Sequence, residues 1–343
     1  MELKLMINLL ELTLSELQNL FAEKGIQKFR AKQIMNWIYQ KNCYDFSKMS
    51  NLSKDFRVSL RKDYSIRLPE LRDKQVSALD GTRKYLWALD DSELIESVLL
   101  IHPKRVTACI STQVGCKLDC AFCATGKGGF TRNLKVSEII GQILSMEKDF
   151  GEKITNVVFM GMGEPMLNYN SVKKSIEMIN SKDMLNISKR RIAVSTAGII
   201  PGIENMAEDF PEVVLSISLH APDNSVREKL MPVNNHFSFP ELIQAIKAYN
   251  EKTSKRVTIE YILIKDVNDS RNDARTLAKN LKPLKVNINL IPINPVEGDF
   301  ERPSEKHIND FKEILEKNGF ETVLRHEKGT DISGACGQLR GKK

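Results

Sequence analysis

From Val106 onward, short apolar β-branched runs alternate with helix-period stretches, and few folds accommodate that pattern. The runs fall at residues 106–111, 154–160, 191–196, 213–219, 257–263 and 286–291. Helical patterns lie between them near 136–150, 171–180, 200–208, 240–251 and 272–280. Units of roughly 30 to 45 residues in this order predict a parallel sheet with helices outside it. Six units rather than eight predict an incomplete (β/α)6 barrel, open on one side. In such sheets ligands lie beyond the carboxyl ends of the strands, so those ends carry the functional reading.

The first strand end holds the densest chemistry. Cys116, Cys120 and Cys123 fall within eight residues as C-x3-C-x2-C, with Cys109 on the strand before them. Thiolates this close in sequence can converge on one metal centre without help from the rest of the fold. A structural zinc site closes with four protein ligands, and after Cys123 no Cys or His follows until His220. An iron–sulfur cluster held by three cysteines leaves one iron free for a small molecule. The spacing resembles that of the radical S-adenosylmethionine (SAM) enzymes, whose open iron chelates the amino and carboxylate groups of SAM. A zinc knuckle is the competing reading.

Later strand ends carry polar residues in corresponding places. Gly163-Glu164-Pro165 follows the second run; the glycine lets backbone approach a ligand, and Glu164 suits an ammonium group. Ser195 ends the third run, Ser218-Leu219-His220 the fourth, and Asn294-Pro295 follows the sixth. Each alone reads as a strand-end turn residue, and His220 reads equally well as a core histidine. Together they predict a site of nucleotide size for the amino acid, ribose and adenine of SAM.

The first hundred residues differ in character. Thr13-Leu-Ser-Glu16 is a capping-box pattern, followed by helical spacing to Gly25, then helices near 30–41 and 53–64. Residues 74–78, 83–88 and 94–101 then alternate with period two, joined by Asp80-Gly81 and Asp90-Asp91 turns, and predict a small antiparallel sheet. Residues 24–84 contain 15 Lys and Arg against 6 Asp and Glu, more than the whole chain's net charge of +7. Such a surface suits phosphates, so RNA is the expected partner. The interleaved aromatics, Phe29 and Trp37 among them, follow helical spacing and are expected in a small core. No apolar run approaches the roughly 20 residues that cross a membrane. Six cysteines in 343 residues make no disulfide framework, which places the chain in a reducing cytoplasm. Cys43 receives no role. Cys336, flanked by glycines near a basic end, reads alone as an inert or surface thiol in a tail that can be mobile.

In order along the chain stand Cys109-x6-Cys116-x3-Cys120-x2-Cys123-Ala-Thr-Gly, Gly-Phe-Thr-Arg132-Asn-Leu, Gly-Met-Gly-Glu164-Pro, Ser-Leu-His220-Ala-Pro, Leu-Met-Pro232 and Ala-Cys336-Gly-Gln-Leu. They resemble, over nearly the whole chain, the bacterial dual-specificity methyltransferases that act on carbon 2 of adenine in 23S rRNA and tRNA. The resemblance implies a radical SAM partial barrel with a [4Fe–4S] cluster and two SAM molecules per turnover. A first SAM methylates Cys336. A radical made from the second takes hydrogen from that methyl group, and the resulting methylene adds to adenine. Cys109 matches the second catalytic cysteine, whose disulfide with Cys336 releases product. Glu96 matches a proposed proton acceptor, although sequence alone makes it an exposed strand residue.

The expected division is a helical RNA-binding module at 1–65, a β linker at 66–104, the barrel at 105–325 and a catalytic tail at 326–343. The expected protein is a cytoplasmic monomer served by an electron donor such as flavodoxin. Two alternatives remain: the sister enzymes that methylate adenine carbon 8 in antibiotic resistance, and a non-catalytic RNA-binding iron–sulfur protein. The carbon-8 group tends to carry Ala where this chain has Pro165.

Overall fold

Thr13 opens the first helix by the expected capping box. Its hydroxyl accepts the N–H of Glu16 at 3.3 Å, and Glu16 Oε2 accepts the N–H of Thr13 at 2.7 Å. Such a cap contributes about 0.5–2 kcal/mol. The structure is a computed structural model that describes residues 6–294, 300–325 and 327–341.

Helix α1 (Leu14–Glu23) packs on α2 (Phe29–Tyr39), and α3 (Lys54–Asp63) completes the module around Leu17, Phe21, Ile34, Ile38 and Leu60. Burying each such side chain stabilises the fold by about 1.5–3 kcal/mol. Most of the interleaved aromatics join this core as expected, but Phe29 is 50% exposed. It begins α2 on a ridge with Gln33 and Trp37, one step round from the buried Ala31, Ile34, Met35 and Ile38. The module docks on the helices that follow: Lys174 Nζ reaches Glu16 at 2.7 Å, and Lys153 Nζ reaches the carbonyl of Tyr39 at 2.7 Å.

Strands β1 (Glu70–Val76), β2 (Arg83–Ala88) and β3 (Leu94–His102) form the antiparallel linker. β1 starts earlier than its alternation predicts because it is an edge strand, exposed at every position, so no face need be apolar. Seven parallel strands follow: β4 (Arg105–Cys109), β5 (Asn156–Phe159), β6 (Ile192–Thr196), β7 (Val214–Ser218), β8 (Val257–Leu263), β9 (Val286–Pro292) and β10 (Thr322–Leu324). All six expected strands are present, and β10 is a seventh, too short for its pattern to register.

The linker is not a separate sheet. β3 pairs antiparallel with β4, Val98 opposite Cys109, so one ten-stranded sheet runs in chain order from β1 to β10. No pairing joins its two edges among the described residues, so the barrel is open. The expected helices occur at Val136–Phe150, Tyr169–Asn180, Ile200–Asp209, Phe239–Thr253 and Arg271–Leu281, within two residues of the predicted bounds. Among the described residues three more were not expected, the single turn Ala124–Lys127 and the helices Asn224–Leu230 and Glu305–Lys317. β8 is buried at every residue, as a central parallel strand covered on both faces must be. It buries Glu260 with the rest.

Candidate active site

β4 ends at Cys109, and the chain passes through a small hairpin, Gln113–Gly115 against Phe130–Asn133, that encloses the three-cysteine loop. Gly115 closes this hairpin with φ +73°; a Cβ there would lie 2.0 Å from the carbonyl oxygen of Gly129. The loop is pinned at several points. Cys116 N–H donates to Gly129 O at 2.8 Å, Ala121 N–H to Leu230 O at 3.0 Å, and Phe122 meets His220 edge-on at 4.9 Å between centroids. Burial pushes the Cys116 thiol up to about 12 and Cys120 well above its usual range, each cysteine also repelling its neighbours' charge. Desolvated thiols that resist ionisation lose their protons to a metal.

Soft sulfur donors suit iron–sulfur or zinc, not magnesium or calcium. Among the described residues no three His, Cys, Asp or Glu side chains converge on a single ion position. A cluster in which each thiolate takes a different iron needs no such convergence. The residues present therefore fit a [4Fe–4S] cluster.

Gly163 has φ +96°, and a Cβ there would lie 2.5 Å from that of Gln113. This turn delivers Glu164 into the protein, where Oε1 accepts the Met166 N–H at 3.0 Å and Oε2 the Ala197 N–H at 2.8 Å. Burial nevertheless outweighs these bonds and pushes its carboxyl up to about 7. At the neighbouring strand ends Ser195 Oγ and Ser218 Oγ lie 3.2 Å apart. Leu219 and His220 turn their N–H groups to the carbonyl of Glu260, at 3.1 and 3.3 Å.

His220 is a residue of the chain reversal. Its φ is +56°, its Nδ1 accepts the Ile262 N–H at 3.0 Å, and burial pulls it down to about 3. Burial thus favours the neutral ring, and its Nδ1 is committed to the backbone. Asn294 donates through Nδ2 to the carbonyl of Cys336 at 3.2 Å, while its buried Oδ1 has no partner among the described residues. An orphaned acceptor at a strand end fits the amino group of an adenine. Pro295, beside it in sequence, lies outside the described residues.

The tail is not a loose end. Gly337 O accepts from Ala124 N–H at 2.8 Å, and Leu339 O accepts from Thr125 Oγ1 at 2.6 Å, strapping the tail to the residues after Cys123. Glu96 Oε2 then takes the N–H groups of Arg340 and Gly341, at 2.6 and 3.1 Å. Glu96 is accordingly 8% exposed, contrary to the exposed strand position expected for it, because the tail lies across β3.

This strap brings Cys336 within electrostatic reach of Cys109. Enclosure pushes the Cys109 thiol up to about 12, Cys336 adding to the push. Arg325, just beyond β10, answers both: Cys336 chiefly, then Glu260 and Cys109, raise its guanidinium. Its Nη1 stands 4.0 Å from Glu260 Oε2. The sequence reading missed Arg325 because it follows a strand of three residues. Cys43 is apart, half-buried in the helical module with Sγ directed at the Asp45 carbonyl at 3.5 Å.

An open parallel sheet with a three-thiol loop after its first strand is the architecture of radical SAM enzymes, and residues 110–278 match the radical SAM superfamily. Residues 7–66 match the ribosomal RNA large subunit methyltransferase N-terminal domain. The crystal structure of a radical SAM methyltransferase from Sphaerobacter thermophilus superposes with a TM-score of 0.94 at 40% identity, covering 98% of this chain and 100% of that one. Probable dual-specificity RNA methyltransferases RlmN are similar throughout: that of Fervidobacterium nodosum is 52% identical over 97% of each chain, and that of Thermotoga maritima 51% over 98% of each. The chain belongs to the RlmN family of dual-specificity RNA methyltransferases. Among the described residues no helix is long and apolar enough to cross a membrane.

Proposed function

We propose that this chain methylates carbon 2 of an adenosine in 23S rRNA and in tRNA, with Cys116, Cys120 and Cys123 holding a [4Fe–4S] cluster. One observation carries the reading: the tail bearing Cys336 is strapped over the barrel mouth, within electrostatic reach of Cys109 and hydrogen-bonded to Asn294. When bound, the cluster and SAM supply the one-electron chemistry that activates an otherwise inert methyl group.

The chain's own residues do the rest. Glu164 holds the SAM ammonium, with Gly163 giving it backbone access. Ser195, Ser218 and the Leu219–His220 backbone line the ribose, and Asn294 Oδ1 takes the adenine amino group. Cys336 is the methyl acceptor, and the Arg325 guanidinium lies within electrostatic reach of its sulfur. Once carbon bridges this sulfur and the substrate adenine, a proton leaves carbon 2 for Glu96, which has released the tail, and the adduct's unpaired electron would return to the cluster when it is bound. Cys109, as thiolate, attacks the Cys336 sulfur. A sulfur–sulfur bond forms, the sulfur–carbon bond breaks, and the electron pair left on carbon takes a proton to complete the methyl group.

The division proposed is RNA-binding module 1–65, linker 66–104, barrel 105–325 and tail 326–343, of which residues 1–5, 295–299, 326 and 342–343 lie outside the described residues. The enzyme works as a cytoplasmic monomer fed electrons by a donor such as flavodoxin. Anaerobic reconstitution followed by mass spectrometry of nucleosides from rRNA and tRNA tests the function. 2-Methyladenosine in both is expected. 8-Methyladenosine would move the chain to the antibiotic-resistance reading, and no methylation would leave an RNA-binding iron–sulfur protein.

A further inference from the structure

Arg227 lies in the short helix Asn224–Leu230, fully buried, and among the described residues no carboxylate pairs with it. Its Nη1 donates to Asn234 Oδ1 at 3.0 Å and to the Phe237 carbonyl at 3.4 Å, and its Nη2 donates to the Ala197 carbonyl. Its Nε has no hydrogen-bond partner among the described residues. A buried guanidinium surrounded by neutral acceptors is costly to maintain unless a negative charge compensates it.

The surroundings say where that charge arrives. The Leu230 carbonyl, at the end of the same helix, accepts the N–H of Ala121 at 3.0 Å, between Cys120 and Cys123. Ala197, which accepts from Arg227, donates to Glu164 Oε2 at 2.8 Å. Arg227 is thus wedged between the three-thiol loop and the Glu164 turn. Burial pulls its guanidinium down to about 10, and Cys120 is the group that opposes this pull.

We infer that Arg227 is the buried counter-charge of the cluster, a positioning residue that favours its reduced state. The inference rests on the proposed cluster ligands. Three thiolates leave the oxidised cluster with a net negative charge, and one electron from an external one-electron donor adds another. A fixed cation in a low-dielectric site stabilises the more negative state more strongly, so it raises the reduction potential.

The test compares wild type, Arg227→Gln and Arg227→Lys after anaerobic reconstitution, by dithionite titration followed by electron paramagnetic resonance. Arg227→Gln should shift the midpoint to a more negative potential, and Arg227→Lys, which keeps the charge, should stay near wild type. Both should lower the Tm of the cluster-free protein, since each loses hydrogen bonds. An unchanged midpoint in Arg227→Gln would leave Arg227 a structural residue only and overturn the inference. In selectively labelled wild type, the Arg227 Nε–H resonance should shift or broaden on cluster loading. A resonance unmoved by loading overturns the inference even where Arg227→Gln does not fold. Cys120→Ala is the control: if it loads a full cluster, the ligand assignment itself has failed.

Discussion

Glu96 Oε2 lies 2.6 Å from the backbone nitrogen of Arg340, so the carboxylate proposed to accept a proton from substrate is occupied by the chain's own tail. The same oxygen takes the N–H of Gly341 at 3.1 Å, and Lys84 Nζ stands 3.4 Å from the other oxygen. Proton transfer and tail docking therefore compete for one group.

The first prediction tests this latch. A hydrogen bond to a charged group is worth about 1.5–3 kcal/mol, so losing that much raises local opening roughly 10- to 100-fold. Glu96→Ala should speed amide exchange across residues 335–341 by such a factor while the β4–β9 core exchanges as before. Tail protection equal to wild type would place the fastening elsewhere.

Glu164 yields a pH prediction. Its folded-state pKa, about 7, lies above the ordinary 4.5, so the folded protein binds the proton more tightly than the unfolded chain does. Stability from this group is present in full below the unfolded pKa and is lost as pH rises to about 7, a change of about 3 kcal/mol. The cluster-free, SAM-free protein should melt at lower temperature at pH 8 than at pH 5.5, and Glu164→Gln should lessen the difference. A variant melting profile parallel to wild type would show that Glu164 is not the group responsible.

The barrel was legible because each parallel strand is a short apolar run bounded by a helix of regular period. The cluster loop was legible because its ligands are local in sequence. Glu96 and Arg325 were not, for a shared reason. Their surroundings are made by a tail about 240 residues from Glu96 and by Glu260 on another strand, contacts that no local pattern announces. His220 was half legible: its place at a strand end was evident, but its bond to the Ile262 N–H depends on its positive φ.

RNA affinity should come largely from the helical module. Lys32 and Arg61 are paired with Asp183 and Asp45, at 2.8 and 2.7 Å, so charge reversal there would also disturb ion pairs. Lys28, Lys48, Lys54 and Lys62 are exposed and make the cleaner test. With about 4 to 6 phosphate contacts, affinity should fall with salt at a log–log slope of about −3 to −5. Reversing these four lysines should flatten that slope and leave SAM cleavage intact. An unaltered slope in a folded variant would move the RNA surface off this module.

Cys109 should be needed to release product and not to form the RNA adduct. The carbon bridge between Cys336 and adenine can break only if something accepts the sulfur, and a second thiolate does so by forming a disulfide. Cys109 shares the barrel mouth with Cys336, whereas Cys43 sits in the helical module. At rest Cys109 is held protonated, its thiol pushed up to about 12 by burial and then by Cys336. Methylation of Cys336 removes that second push before the adduct forms, so Cys109 ionises more readily once the methyl group is in place than at rest. Adduct decay in wild type should quicken up to tenfold per pH unit between about pH 7 and 9, while the thiolate fraction limits it. Cys109→Ala should accumulate protein covalently joined to RNA, seen as a retarded band that nuclease collapses. Cys336→Ala should form no such band and carry no methyl group. Normal turnover by Cys109→Ala, or methylated adenine from Cys336→Ala, would rule out the two-cysteine mechanism for this chain.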